Sequence, residues 1–467
     1  MTLTLILSDL HVAAGRNPDS GKFSPLDDFQ ADEILARFLA HYDEEEKGHL
    51  ILNGDTFDLT QVIDLPTDPR EIQQLIGQPQ LDRDRRCYGL GHTPPELCWK
   101  LERVALGHPI FFSALGAWVQ RGHHLHFVIG NHDVELRYPA VRQRLVELIA
   151  AAQPDLAPSA VQPHVHFHAW YFYQPDQHLY TEHGGQYEPL ANTDGDKIPA
   201  CYFNNRYLFN MLEIRTPEAD NISPFSRYIA WLVSTDTLAT LYILIRRLPA
   251  FLRARRRTHH RLPPADLPDP RFPPPVEEAM KKAAVEQHRR IQRLGYRTSL
   301  LTVLAILLNL VAHVSLLLTV GLAVSGHIAW AILSLAVWPL ARLVSTSIIT
   351  NRLHRSMVVE NDFLQEAARH IAPFLAGHGV RTIVFGHTHQ ADLCRFEDSV
   401  QYFNTGTWIP LFSDDTRLDA RNQAYLFVEV RDGRSRLLRW NDGARQPETP
   451  IIIDRNAASR RRKGCRS

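Results

Sequence analysis

Four short apolar runs along this chain each end abruptly in polar residues: LTLILSDLH at 3–11, HLILNGD at 49–55, HLHFVIGNHD at 124–133 and TIVFGHTH at 382–389. Runs of this length, rich in Ile, Leu, Val and Phe, predict buried strands. Between the first two, DDFQADEILARFLAHY spaces its apolar residues three and four apart, which predicts a helix, and 96–120 and 139–152 read as helical too. From His164, HVHFHAWYFYQPDQHLYTEHG alternates and turns at Pro175-Asp176, a hairpin pattern. AYLFVEVRDGRSRLLRW predicts a second hairpin with Asp432-Gly433 at its turn.

Between about 190 and 355 the pattern changes. An aromatic segment, YIAWLVSTDTLATLYILI (228–245), precedes an Arg-rich run (246–261) and a Pro-dense extended spacer (262–275). The helical pattern VEEAMKKAAVEQHRRIQRL then leads into LLTVLAILLNLVAHVSLLLTV (300–320) and GHIAWAILSLAVWPLA from Gly326. No Asp, Glu, Lys or Arg occurs from Thr298 to Ala341. About 20 apolar residues span a bilayer, so the first stretch predicts a transmembrane helix. The second (326–343) predicts its return, with Trp330 and Trp338 as interfacial anchors. VENDFLQEAARHIAPFL then resumes an amphipathic pattern.

Composition narrows the reading. The 467 residues carry zero formal net charge, which gives no global field for nucleic acid. Five widely spaced cysteines without CxxC fit a reducing compartment better than a disulfide framework. The N-terminus reads as a strand, since it lacks a basic n-region and cleavage site. The tail SRRRKGCRS reads as a solvated basic segment, with Cys465 outside any CaaX box.

The chemistry sits at the strand ends. Asp9 and His11 follow the first run, Asp55 and Asp58 the second, and Asn131, His132 and Asp133 the third. His183 precedes Gly184-Gly185, and His387 and His389 follow the last strand. Loops leaving the carboxyl ends of strands are where α/β sheets gather ligands. Carboxylate, amide and imidazole groups converging there suit two divalent cations, about 3.5–4 Å apart with one Asp between them. By contrast His123, His124, His126, His164, His166 and His168 read as sheet histidines, the last three exposed along one strand.

The ordered set DxH, GD, GNHD, H and GHTH resembles that of the calcineurin-like metallophosphoesterases over about 1–190 and 355–445. The resemblance implies an α/β fold, a four-layer αββα sandwich with two mixed β-sheets, here interrupted by a helical insertion. It implies Asp9, His11, Asp55 and His389 as ligands of one metal, and Asp55, Asn131, His183 and His387 as ligands of the other. His132 is similar to the family's histidine that contacts phosphoryl oxygens or the leaving group, and either Asp58 or Asp133 would orient it. The implied cofactors are two divalent metal ions, Mn2+ first and Fe or Zn2+ as alternatives, for a donor set without thiolate. Gln186, Asn404 and Thr405 either line the pocket or shape its loops.

One site that needs His183 before the insertion and His387 and His389 after it requires an even number of membrane crossings between them. Both flanks of the hairpin are basic (Arg289, Arg290, Arg293 and Arg297; Arg342, Arg352 and Arg355), so both ends are expected on the cytoplasmic side of the inner membrane. The expected domains are 1–190 and 356–450 as two parts of one catalytic domain, 191–355 as the insertion with its linker (246–275) and hairpin (about 299–345), and 451–467 as tail. The expected activity is metal-dependent hydrolysis of a phosphoester or diphosphate, with a phosphorylated lipid or lipid-linked substrate and membrane lipids as partners. Relatives of that family, the UDP-diacylglucosamine pyrophosphatases, act on such lipids. This chain departs from them in carrying GNHD where they typically carry Arg, and in its longer insertion. The alternatives are a nuclease or cyclic-nucleotide phosphodiesterase, or a non-enzymatic membrane scaffold. No nucleic-acid partner is expected, and the sequence leaves the oligomeric state open.

Overall fold

The computed structural model describes residues 2–24, 26–43, 47–188, 191–192, 262–263, 267, 272–348, 363–396, 399–409 and 425–450. The aromatic segment 228–245, the Arg-rich run 246–261, most of the Pro-rich spacer and the tail 451–467 lie outside them. The chain divides into two compact units, Met1–Gly184 with Leu262–Arg271 and Ala372–Ser467, and Gly185–Arg261 with Phe272–Ile371.

The first unit is mixed α/β, with two mixed sheets. Strands β1 (Leu3–Leu7), β2 (His49–Asn53), β3 (His124–Val128) and β4 (Val165–His168) run parallel side by side. On the other side of β1, β10 (Leu426–Arg431), β11 (Arg434–Asn441) and β12 (Gln446–Glu448) add antiparallel strands, which makes seven in all. The second sheet has five strands in the order β5 (Tyr171–Gln174), β6 (Leu179–Glu182), β7 (Thr382–Phe385), β9 (Gln401–Thr405) and β8 (Ala391–Arg395). The β5–β6 hairpin turns at Pro175–Gln177, where the sequence placed it. β4, read as part of the same hairpin, instead pairs with β3 in the larger sheet. At the β10–β11 turn, Asp432 and Gly433 both have positive φ (48° and 74°), the geometry a two-residue hairpin needs.

Alternation along the strands decides what packs where. Ile6, Ile51, Val128 and Val428 face Phe172, Leu179, Val384 and Phe403 of the smaller sheet and form an apolar layer between the two. Their neighbours Leu5, Leu7, Leu50, Leu52, Leu125 and Phe127 face outward to a larger cluster. Helices α1 (Asp32–His41), α4 (Pro94–Gly107), α5 (Pro109–Gln120) and α6 (Pro139–Ala151) contribute to that cluster; short helices α2 (Pro69–Ile76), α3 (Arg83–Tyr88) and α7 (Pro158–Val161) lie among them in sequence. The central strands are therefore apolar on both faces, which explains their unbroken runs. The predicted helix 96–120 is two helices, because Pro109 has no N–H to continue α4 and instead begins α5. His108, at that break, sits 2.9 Å from both Asp27 and Asp32 and pins the loop after β1 against α5. Burial disfavours its charge, but the two carboxylates push its pKa up to about 9.

In the second unit, α8 (Pro274–Val324) and α9 (Ile328–Ile348) form a helical hairpin whose turn carries Gly326 at φ 81°. Two of its segments, Leu307–Val324 and Ile328–Ser345, are long and apolar enough to cross a membrane. Their outward side chains are exposed, Leu317 by 74% and Val324 by 85%, while Asn309, Ser315, Ser334 and Ser345 are buried. The serines and asparagine bond inward: Asn309 Nδ2 donates to Ser345 Oγ (2.7 Å), and Ser334 Oγ to the Ser315 carbonyl (2.8 Å). Beyond residue 362, α10 (Phe363–Ala376) returns the chain towards β7.

The sheet histidines are not exposed. His49, His124, His126, His166 and His168 lie across β2, β3 and β4, with His126 and His168 buried and the others half-buried. Burial follows because β4 joins the sheet beside β3 and Phe172 packs on His126 (ring centroids 4.5 Å apart). Imidazoles bond to one another: His49 Nδ1 to His126 Nε2 (2.9 Å), His124 Nδ1 to His166 Nε2 (3.0 Å) and His126 Nδ1 to His168 Nε2 (3.1 Å). Their nitrogens meet pairwise, and among the described residues no three of them converge as a metal-holding group.

Burial and then mutual repulsion push the pKa values of His49 and His166 down to about 4 and lower those of His124 and His126. An unfolded imidazole titrates near 6.5. Between these values the unfolded chain binds protons that the folded sheet refuses, so this stability is complete above about pH 6.5 and is lost as pH falls towards 4. With two extra protons bound on unfolding, the slope is roughly 3 kcal/mol per pH unit. Thermal unfolding of the detergent-solubilised chain across pH 4–7 measures it, and the double variant His49→Phe, His166→Phe is expected to flatten the curve. An unchanged slope in that variant would remove the ladder as the cause.

Candidate metal centre

All the chemistry-bearing loops of the first unit leave the carboxyl ends of parallel strands. Asp9 and His11 follow β1, Asp55 and Asp58 follow β2, and Asn131, His132 and Asp133 follow β3. From the smaller sheet, His183 follows β6, and His387 and His389 follow β7. Because β1, β2 and β3 are neighbours, as are β6 and β7, face-to-face packing of the sheets brings these loops to one place.

Two groups of side chains there hold their ligand atoms close enough for a cation: Asp9 with His11 and His389, and Asp55 with His183 and His387. In the first, His389 Nε2 is 3.1 Å from His11 Nε2 and 3.2 Å from Asp9 Oδ1. In the second, His183 Nε2 is 3.1 Å from Asp55 Oδ2 and 3.0 Å from Asn131 Oδ1. Asp55 also lies 3.9 Å from His11, between the groups. The sequence-predicted ligands Asp9, His11, Asp55, Asn131, His183, His387 and His389 are thus brought together. His183 Nδ1 donates to the Asn53 carbonyl (3.1 Å), which turns Nε2 inward as a metal ligand requires.

A third group, His11, Asp58 and His132, adjoins them. His132 Nδ1 is 2.8 Å from Asp58 Oδ2, so Asp58 orients His132 and directs Nε2 away from it. Asp133, the alternative orienting residue, does something else. Its oxygens accept from the Gly130 and Thr56 amides (2.6 and 2.8 Å) and so clamp the β3 loop to the β2 loop. His132 and His389 keep 15% and 12% of their side chains exposed and mark the open side; Asp9 and Asp55 are essentially dry.

Dry carboxylates need positive charge. Burial opposes ionisation of Asp9, but His389 outweighs it and the pKa is lowered. Asp55 is held well below the usual carboxylate range against burial, by His183 and then His132. Burial likewise disfavours a charged His183, yet Asp55 pushes its pKa up to about 9. Asp133, which burial and the Asp55 charge push up to about 7, is the weakest acid of the set. The protein groups therefore supply oxygen and nitrogen donors, no thiolate, and an electrostatic demand for cations at the ligand atoms. That donor set fits hard to borderline divalent ions.

The backbone pays for the arrangement in strain. Asp9, His11, Asp55, His387 and His389 all adopt left-handed φ, at 55°, 51°, 50°, 70° and 56°. Such values are uncommon for residues other than glycine and cluster at functional sites. Two glycines permit the close approach: a Cβ on Gly54 would lie 2.4 Å from the His183 ring, and one on Gly386 would lie 2.6 Å from Asp9 Oδ2.

Sequence reasoning missed the supports behind the ligands. Ser8 Oγ donates to Asp9 Oδ2 and lies 2.5 Å from Thr405 Oγ1, and Thr407 Oγ1 donates to the Asp9 carbonyl (2.7 Å). Asn404 donates to the Gly386 carbonyl (2.7 Å). Asn404 and Thr405 thus shape loops, and Gln186, in the second unit, accepts from His288 through its backbone oxygen. A hydroxyl beside DxH and a polar pair at a strand end were the available signals, but their partners lie far along the chain.

Compared with known protein families, with curated proteins and with solved structures, the chain matches none. The geometry makes its own prediction. Ser8→Ala is expected to weaken Mn2+ binding on the order of 10–100-fold, the usual effect of losing a group that orients a ligand. Calorimetric titration of the metal-stripped protein measures this; an unchanged affinity would show that Asp9 is oriented without the hydroxyl.

Proposed function

We propose that this chain is a membrane-tethered phosphoric ester hydrolase of the calcineurin-like metallophosphoesterase type, dependent on two divalent cations. The observation that carries the reading is the pair of ligand groups around Asp55, built from strand-end loops in the order DxH, GD, GNHD, H and GHTH. The two mixed sheets, with helices against the larger, support placing it in the family's four-layer αββα sandwich.

In this reading Asp9, His11, Asp55 and His389 hold one ion, and Asp55, Asn131, His183 and His387 the other, Mn2+ being the first choice and Fe or Zn2+ the alternatives. Bound there, such ions would make water more acidic and neutralise charge on a phosphoryl group. The protein's own part is to keep Asp55 and Asp9 ionised and fixed, which His183 and His389 achieve against the opposing effect of burial. His132, with Nδ1 committed to Asp58, offers Nε2 on the open side to a phosphoryl oxygen or to the departing oxygen. Burial opposes the charge on Asp58, yet its pKa is lowered by His132, so Asp58 stays an acceptor.

The helical hairpin supports a site working at a membrane, with both hairpin ends on the cytoplasmic face and a phosphorylated lipid or lipid-linked diphosphate as substrate. The alternatives, a nuclease or cyclic-nucleotide phosphodiesterase of the same fold and a non-enzymatic membrane scaffold, have no observation of their own to favour them.

The detergent-purified full chain, given Mn2+, is expected to hydrolyse a nitrophenyl phosphomonoester or its diester, and Asp55→Asn to abolish this. His132→Gln is expected to lower kcat by about 10²–10³, the scale of one lost electrostatic contact to the transition state. Turnover no greater than that of Asp55→Asn on both esters and on a lipid phosphate would leave the scaffold reading in its place.

A further inference from the structure

At one end of the helical hairpin an arginine is built into a polar cluster. Arg342 Nη1 donates to Asn309 Oδ1 (2.7 Å), and Asn309 Nδ2 donates in turn to Ser345 Oγ (2.7 Å). Asn309 and Ser345 are 2% and 1% exposed, whereas Arg342 is half-buried at the helix surface. Among the described residues no carboxylate pairs with Arg342. Counted from the turn Ser325–His327, Asn309 lies 16 residues back along α8 and Arg342 15 residues on along α9. At 1.5 Å per residue that is about 22–24 Å, near the far boundary of a hydrocarbon core about 30 Å thick. The opposite end, the turn Ser325–His327, carries no Lys or Arg.

A guanidinium at the edge of an apolar layer normally turns its long side chain out towards water. Here one nitrogen is fixed by a carboxamide that has itself no freedom to turn. That leaves the Nε–Nη2 edge, a planar fork whose spacing matches two oxygens of a phosphate. A fixed cation that no carboxylate among the described residues pairs, at headgroup depth, calls for an anion from the membrane.

We propose that Arg342, set by Asn309 and Ser345, is a binding site for the headgroup phosphate of an anionic phospholipid. The inference rests on the reading that the hairpin spans a membrane. The site anchors one lipid at the hairpin's charged end and fixes how deeply α8 and α9 sit. A zwitterionic choline headgroup is disfavoured, because its own cation opposes the guanidinium.

The test uses the full chain in non-ionic detergent and follows thermal unfolding against added short-chain phosphatidylglycerol, short-chain phosphatidylcholine or inorganic phosphate. The wild-type protein is expected to be stabilised by phosphatidylglycerol at a concentration at least tenfold lower than by either of the others. Arg342→Gln is expected to lose that difference. Arg342→Lys, which keeps the charge without the fork, and Asn309→Ala, which keeps the arginine without its anchor, are each expected to fall between. Equal responses of wild type and Arg342→Gln, or of the two lipids, would overturn the site. Inorganic phosphate acting as well as phosphatidylglycerol would overturn its assignment to lipid. Flotation with phosphatidylcholine vesicles after alkaline wash is run in parallel. A chain that fails to float loses the membrane reading itself, while one that floats but shows no Arg342-dependent preference loses only this site.

Discussion

Asp55 is a carboxylate kept charged with 1% of its surface exposed, and three loops of the first unit meet on it. Its backbone oxygen accepts from the Leu10 and His11 amides, which draws in the loop after β1. One side-chain oxygen accepts from the His132 amide (2.8 Å) and so draws in the loop after β3, while the other lies 3.1 Å from His183 after β6. An isolated charge at such a depth would neutralise itself or unfold the site. Here three loops from two sheets converge because each supplies a dipole or a positive charge to the same group. The resulting cluster is richer in imidazole than in carboxylate, and a cation bound there would replace the proton that Asp55 holds on His183.

Convergence of that kind costs backbone strain, and the strain is not spread evenly. Left-handed φ falls on Asp9 and His11, on His387 and His389, the first and last residues of two motifs, and on Asp55. An extended strand would send residues i and i+2 to the same side and onward in one direction. Reversing the backbone at both positions curls the loop around the cluster instead. Glycines just before Asp55 and His387 then become necessary, since a Cβ at Gly54 or Gly386 would meet His183 or Asp9. Strain, glycine and ligand are one local device.

The parts of this that were legible in the sequence are those governed by neighbours in the chain. Strand ends, the Asp432-Gly433 turn, the two apolar spans and the ligand residues themselves all announce themselves within about ten residues. What could not be read depends on pairing across the chain. Whether Asp58 or Asp133 orients His132 is settled by a fold in which Asp133 is already occupied by the Thr56 and Gly130 amides. The histidines of 164–168 alternate as an exposed strand would; the pairing of β4 with β3 and the cover of Phe172 bury His168 and leave His164 and His166 half-buried. Likewise Ser8 is one polar residue among many until Thr405 and Asp9 flank it.

The helical hairpin obeys the same rule of polar satisfaction. Around Asp55, polar groups are gathered so that charge can be kept out of water; in α8 and α9 several are turned inward and mostly apolar side chains remain outside. Asn309 bonds to Ser345 and Ser334 to the Ser315 carbonyl across the helix pair, Ser315 bonds to the Ala312 carbonyl of its own helix, and most of the outer surface is Leu, Val, Ile and Trp. An isolated helix could not supply the Asn309–Ser345 and Ser334–Ser315 bonds, so the pair forms together, and an antiparallel pair ends near where it began. That return is what β7 requires. His387 and His389 come after the hairpin and His183 before it, yet His183 and His387 face Asp55 in one group. An antiparallel helix pair thus adds no separation of its own between β6 and β7, whose loops meet around Asp55.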